Sequence, residues 1–409
     1  LARSGLAAPL LAGVATADIT PPVGFPMWGY GARHDAPSVG VQDPLRAKAV
    51  VFRAGDDALA LVGLDLGRSP TRASMQRIRD AVLADSGVQT LLLVGSHTHH
   101  GPVIETEDWP DTETPYVRTL ESSLVRAIGE AARTARPVRI GTDRKAVPYN
   151  RNRHWRGPDA PLDADLVVVR LDEADGRPMA VLAHFAAHPT MEPAETMQFS
   201  ADYPGHLTRF VEEAMGVPCI FLQGAAGDLS VRPGELKGAR AFGEALGGEA
   251  LALVKAIHAE PWQDARIRAR EDDFAFTSRI DFSSPVVQAL YTQAFYKALV
   301  DALLTEFAEG VRPHLTTAVL MDGPDARLAF VGVSGELFSA HALRLKSRSP
   351  VPTLVLGYCN GHDLYFPTIE AAAQGGYGGA PEVAPIEVGA GERMMDTALM
   401  RIFQMQGKL

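Results

Sequence analysis

The sequence predicts an α/β fold, a single large domain in which mixed β-sheets are flanked by helices, with a metal site at the C-terminal ends of the strands. Three observations carry the architecture. Apolar runs of about 4 to 8 residues, bordered by turn residues, recur along the 409-residue chain and read as buried strands. Helical periodicities alternate with them as far as about residue 259. Glycine and proline number 38 and 29, more turn formers than a helical bundle needs. At roughly 150 residues per domain the length allows up to three domains, but large α/β enzymes often run longer as one unit, and 1–409 is taken as one domain.

The elements follow in order. Strand-like runs at 47–52, 58–64 and 90–94 enclose a helical pattern at 72–84, and a second pattern, 115–135, follows. Runs at 165–171, 179–184 and 219–222 alternate with helical patterns at 206–215 and 238–258. From 262 the letters alternate polar and apolar (RIRAREDDFAFTSRIDF), as in antiparallel strands with one face in water, which marks a possible sub-lobe change near 260–282. Ser283, Ser284 and Pro285 open the longest helical pattern, 285–308. Strands at 328–333 and 353–356 and a final helix at 392–406 complete the chain, and no internal repeat is legible in the letters. The stretch 6–17 (LAAPLLAGVATA) contains Pro9 and lacks a basic flank. It therefore reads as a surface segment leading into a first strand in preference to the tail of a signal peptide.

Charge and cysteine usage exclude several classes. Lys and Arg total 39 against 49 Asp and Glu, a net charge of −10, which argues against a nucleic-acid or anionic-membrane binder. No apolar run is long enough for a transmembrane helix. Cys219 and Cys359 have neither a CxxC partner nor metal-finger spacing. The expectation is a soluble protein, secreted or periplasmic if a signal peptide was trimmed, with its compartment and oligomeric state left open.

Chemistry collects where the strands end. TLLLVG runs into SHTHHGP, MAVLAHFAA into His188, CIFLQGAAG into Asp228 and Ser230, and LAFVGVSG into Glu336. In open α/β sheets sites form beyond the carboxyl ends of the strands, so such ends can meet at one point. His97 and His99 stand two apart, which in extended backbone projects both to one side. Neutral imidazoles and a carboxylate suit zinc, whose bound water has a pKa of about 7. The metallo-β-lactamase pattern HxHxDH fails, because Gly101 and Pro102 stand where Asp and His are needed. A binuclear phosphoesterase lacks its bridging aspartates and Asn-His pair. An amidohydrolase barrel, which also begins from HxH at a strand end, survives on spacing alone.

A collinear set of short motifs resembles one family, the neutral (non-lysosomal) ceramidases. Residues 15–21 (ATADITP) and 27–30 (MWGY) are similar to the family's "TADITGP" and "MGY", and 96–102 (SHTHHGP) to "THTHSGP". YNR at 149–151 follows "INRS", FAAHPTM at 185–191 follows "FAVHGTSM", and SADYPG at 200–205 follows "SGDNKG". QGAAGDLS at 223–230, SGELF at 334–338 and YFPT at 365–368 match "GDVSPN", "PGEFT" and "YITT". The resemblance implies a zinc-dependent amidohydrolase that cleaves N-acyl sphingosine or a related N-acyl lipid through a zinc-activated water. It places one zinc ion on His97, His188, Glu336 and Tyr365. His99, Arg151 and Tyr377 then fall at positions that stabilise an oxyanion, and Ser230 at a nucleophile or substrate-positioning serine.

Plainer readings stand beside these. His188 before Pro189 reads equally as a strand cap, Glu336 as a carboxylate at the start of a helix, Tyr365 and Tyr377 as packing aromatics, and Ser230 as part of a glycine-rich turn. Arg153 is placed to take the role of Arg151. His100, His154, His184, His341 and His362 read as supporting or surface groups, His362 lying close to the Tyr365 motif. The sequence also departs from the family: Ser230, Val231 and Arg232 replace "SPN", HTHH replaces "HTHS", HPTM replaces "HGTS", and no counterpart of the family's C-terminal immunoglobulin-like domain follows Tyr377. Metal chemistry therefore transfers better than substrate identity. A smaller amide, ester or lactone, a serine acyl-hydrolase built on Ser230, and a non-catalytic binding protein remain as alternatives.

Overall fold

In the computed structural model, which describes residues 8–111, 113, 115–155 and 157–409, one chain topology occurs three times. Each unit is an antiparallel meander of three strands, then a helix, then a fourth strand parallel to the third, then a second helix. The first unit runs Leu11–Asp18, Arg46–Ala54, Asp57–Leu64, helix Arg72–Ser86, strand Thr90–Gly95, helix Tyr116–Arg133. The second runs Arg136–Ala146, Asp165–Glu173, Pro178–Phe185, helix Asp202–Met215, strand Cys219–Gln223, helix Gly238–Ala256. The third runs Ala265–Asp273, His314–Asp322, Asp325–Val333, helix Ser339–Arg348, strand Thr353–Leu356, helix Ala390–Met405. The helix in each crossover is what a parallel pair requires, since a tight turn can join only antiparallel neighbours.

The first two units join edge to edge through Leu11–Asp18 and Arg136–Ala146 in a nine-stranded sheet, and the third forms a four-stranded sheet of its own. Within the stretch read as a surface lead-in, residues from Leu11 on already belong to the first strand, Leu11–Asp18, which pairs along its whole length with Arg46–Ala54 and at Leu11 and Ala12 with Arg136–Ala146. Alternating side chains explain how the sheets pack. Val50 and Phe52 face an inner core that also receives Leu182, Ile220, Leu320 and Phe330, so all three units contribute to it. The intervening Ala49 and Val51 face the helices of the first unit. The outer faces of the second and third sheets are likewise covered by their own helices. Strands buried on both faces read as continuous apolar runs, which is why these were legible in the letters.

The change of pattern after 260 coincides with the start of the third unit. Ala265 and Ile267 of its edge strand enter the shared inner core while Arg266 and Arg268 point outward. The single helix expected over 285–308 is two, Pro285–Ala294 and Lys297–Glu306, separated by non-helical backbone at Phe295 and Tyr296. In an unbroken helix, at about 100° per residue, Leu299 would point about 140° away from the face of Ala294. The break turns Leu299 and Leu303 back toward the cavity that Ala294 also lines. None of the described helices is long and apolar enough to cross a membrane.

Candidate metal centre and cavity

Because the third and fourth strands of each unit are parallel, their exits lie at the same end, and all three units deliver polar side chains there. From the first unit, His97 follows Thr90–Gly95 with φ 68°, a left-handed conformation that costs a non-glycine residue of order 1 kcal/mol or more. Its backbone N–H bonds Leu66 O at 2.9 Å and its Nδ1 donates to Gly67 O at 2.7 Å. His188, after Pro178–Phe185 of the second unit, donates through its backbone N–H and through Nδ1 to Leu229 O, each at 3.0 Å. Glu336, after Asp325–Val333 of the third unit, lies in a two-residue strand parallel to Tyr365–Phe366. It therefore does not open a helix, since the helix that follows begins only at Ser339.

A carbonyl oxygen only accepts, so the proton of each imidazole sits on Nδ1 and each Nε2 presents a lone pair. Those two nitrogens meet Glu336 Oε2 at 3.5 Å from His97 and 3.1 Å from His188. Tyr358 OH stands 3.4 Å from the same oxygen, and His362 Nε2 lies 3.3 Å from Oε1. His97, His188 and Glu336 are 1, 0 and 4 % exposed. Burial disfavours the imidazolium and pushes the pKa of His97 well below its usual value, and that of His188 down, with Arg153 adding to the latter. Burial also opposes the Glu336 carboxylate, but His97, His188 and His362 outweigh it and hold its pKa well below the ordinary range. Two imidazoles and a carboxylate that converge in this way could hold a cation, each ring being fixed by a backbone carbonyl on its far nitrogen.

His99 stands beside this cluster, half-buried, with Nε2 3.4 Å from His97 Nε2; the ligand atoms of His97, His99 and His188 lie within 4.8 Å of one another. Burial lowers its pKa well below the usual histidine value. The indole of Trp28 meets the rings of His97, His99 and His362 edge to face at 5.0, 5.6 and 5.6 Å.

The other expected residues divide. Tyr365 is buried, with its OH 3.0 Å from Arg153 Nη2 and 3.3 Å from Tyr377 OH, and Tyr377 is 65 % exposed at the cavity rim. Arg151 is not brought to the cluster: its side chain is exposed on the short strand Asn150–Asn152. Arg153, two residues on, reaches in instead, with Nη2 2.8 Å from His188 Nε2 and 3.0 Å from Gly227 O, and its guanidinium over the Tyr377 ring at 5.3 Å. Ser230 is half-buried, its backbone bridged to His188 and paired with Arg151, and no hydrogen bond joins its hydroxyl to a described histidine. Tyr358 lies in none of the motifs, Trp28 comes from the MWGY motif, and His362, read from the letters as a supporting or surface group, lies 3.3 Å from Glu336. The Asn-Gly pair before His362, a turn signal directly after a buried strand, is the trace they leave in the letters.

Over the cluster lies a cavity of about 470 Å³. His97, His99, Glu336, His362 and Tyr365 form its polar floor, and Met27, Trp28 and Val103 form one wall. The helices Pro285–Ala294 and Lys297–Glu306 roof it with Val287, Leu290, Phe295, Leu299 and Leu303. Besides Glu336 the lining carries the carboxylates Glu105 and Glu382, and among the described residues no lysine or arginine.

No family model matches the chain. Its fold is similar to that of a neutral ceramidase from Pseudomonas aeruginosa, with a TM-score of 0.75 at 19 % identity over 98 % of this chain and 75 % of that one. A second structure, a ceramidase complexed with C2, gives the same TM-score and identity over 98 % of this chain and 76 % of its own. The likeness spans all three units, so this chain has the neutral ceramidase fold.

Proposed function

We propose that this protein is a zinc-dependent hydrolase that cleaves the amide of an N-acyl lipid, N-acyl sphingosine or a close relative. The observation that carries the reading is the meeting of His97 Nε2, His188 Nε2 and Glu336 Oε2, at 3.1 and 3.5 Å, on the floor of an apolar cavity. Two nitrogens and one carboxylate oxygen suit a single zinc with open positions. When bound, zinc supplies Lewis-acid polarisation of the scissile carbonyl and activation of a water.

The protein's own residues do the remainder. Arg153 presents Nη2 at the edge of the cluster, and the hydroxyls of Tyr365 and Tyr377 lie beside it. These donors point to where an oxyanion develops, and fixed donors of this kind are worth more than any other catalytic element. His99 Nε2 is placed to carry a proton to the leaving amine. The walls and roof exclude water and accept an acyl chain, and a volume of about 470 Å³ falls within the ordinary range of small-molecule pockets. Two solved ceramidase structures with this fold support the amide class. Against a serine acyl-hydrolase, the Ser230 hydroxyl has no histidine base among its described hydrogen-bond partners.

The test is a release assay over N-acyl sphingosine, N-acyl amino acids, simple esters and lactones, on chelator-stripped protein with and without zinc. Zinc-dependent release from the lipid amide above all other substrates supports the reading. A preference for small esters or lactones would contradict the substrate, and undiminished turnover after stripping would contradict the metal.

A further inference from the structure

We propose that His362, and not Tyr365, supplies the fourth protein ligand of the metal at His97, His188 and Glu336. The inference rests on the metal reading above and adds the identity of a ligand that this chain provides.

The two oxygens of Glu336 face different partners. Oε2 lies 3.1 and 3.5 Å from the Nε2 atoms of His188 and His97, whereas Oε1 faces His362 Nε2 at 3.3 Å. His362 is 4 % exposed, and its Nε2 finds no hydrogen-bond partner among the described residues. A buried, unpartnered polar nitrogen is costly unless something occupies it. The ligand atoms of His97, Glu336 and His362 lie within 4.8 Å of one another. With zinc–nitrogen bonds of about 2.05 Å, two nitrogens on one tetrahedral zinc stand about 3.3 Å apart, so the rings close inward on a bound metal.

The hydroxyl of Tyr365, by contrast, bonds Arg153 at 3.0 Å and Tyr377 at 3.3 Å, and among the described residues it makes no hydrogen bond to His97, His188 or Glu336.

The loop that carries His362 is held in place. Tyr358, Asn360 and Leu364 adopt φ of 53°, 60° and 61°, and such strain persists only where surroundings fix it. The Asn360 side chain accepts from Leu93 N at 2.9 Å and donates to Leu91 O at 2.7 Å, and so ties the loop to the same strand that leads to His97. The His362 ring lies edge to face with Trp28 and stacks at 6.2 Å from His97. With a ligand set of three histidines and one glutamate, Tyr365 is free to act with Arg153 as a hydrogen-bond donor.

The experiment is a Co²⁺ titration of the chelator-stripped full chain, read by visible absorption and by the dissociation constant, for the wild type, His362→Phe and Tyr365→Phe. Folding of each variant is checked by circular dichroism in chelator, and His362→Gln is read instead if His362→Phe fails to fold. The expected result is a loss of about 100-fold or more in affinity with a changed spectrum for His362→Phe, and affinity within about 3-fold with an unchanged spectrum for Tyr365→Phe. Wild-type affinity and spectrum in His362→Phe, or an equal loss in Tyr365→Phe, overturns the assignment and leaves the metal reading intact. A wild-type chain that binds no Co²⁺ overturns both.

Discussion

On the proposed metal reading, His97 and Glu336 each supply a lone pair to the ion. His97→Ala and Glu336→Ala are expected to remove both bound zinc and turnover, as elemental analysis and the release assay would show together. Retained zinc with full activity in either variant would refute their roles. The arginines separate geometry from motif. Arg151 is exposed, while Arg153 holds His188 Nε2 and Tyr365 OH at 2.8 and 3.0 Å. Arg151→Ala should leave kcat near the wild-type value, whereas Arg153→Lys, which loses the planar fork, should lower kcat about 10²- to 10³-fold. Equal losses in both would count against this placement. At this scale the letters showed His97, His188 and Glu336 because each directly follows an apolar run. They did not separate Arg151 from Arg153, since a two-residue offset in a short strand and loop leaves no periodic signal. They showed His362 only as a supporting or surface group near the Tyr365 motif, because its position depends on a loop that Asn360 ties to the distant strand Thr90–Gly95.

Among the elements, the helix pair over the cavity depends on a buried charge. Arg68 is fully buried and donates to Glu306 of helix Lys297–Glu306 at 2.9 and 3.0 Å and to Glu105 at 3.3 Å. Removing Glu306 leaves the buried Arg68 with Glu105 alone, which costs part of the about 3–5 kcal/mol of a broken buried pair. Glu306→Gln should therefore expose the roof, seen as faster hydrogen exchange confined to 285–306 and the walls it covers. Exchange unchanged there would show that apolar contacts alone hold the roof. Burial works against the Glu306 carboxylate, but Arg68 outweighs it and lowers its pKa. A depressed carboxylate contributes stability above its unfolded pKa of about 4.3 and loses it as pH falls through the folded value. The roof should accordingly loosen only below about pH 4. The sequence showed apolar periodicity across 285–308 but not the break at Phe295 and Tyr296, because the break serves a cavity made by distant residues. Strands Arg136–Ala146 and His314–Asp322 also escaped notice. The first is mostly exposed and charged, and the second carries consecutive threonines, Thr316 and Thr317, inside an otherwise apolar run.

Across the whole molecule, three copies of one topology share an inner core and aim their strand exits at one point. The letters carry no trace of this repetition, since a topology constrains where strands are buried and not which apolar residues fill them. Acid sensitivity is expected of the fold as a whole. Burial lowers His184 and His100 to about 4, with Lys346 and Arg33 as the next contributors. Both are neutral when folded and take up protons when unfolded near pH 6.5, so the unfolded state binds more protons as the pH falls. Stability should be complete above about pH 6.5 and decline toward pH 4, which urea midpoints across that range would follow; His184→Gln should flatten the slope, and an unchanged slope would exclude His184 as a cause. The central claim is that the buried imidazoles and carboxylate on the cavity floor hold a metal that hydrolyses a lipid amide. Its most direct test is fatty-acid release from N-acyl sphingosine by chelator-stripped protein, followed as zinc is added back. The account predicts no release before addition and recovery complete at about one zinc per chain. Full release from protein shown by elemental analysis to be free of metal would contradict it.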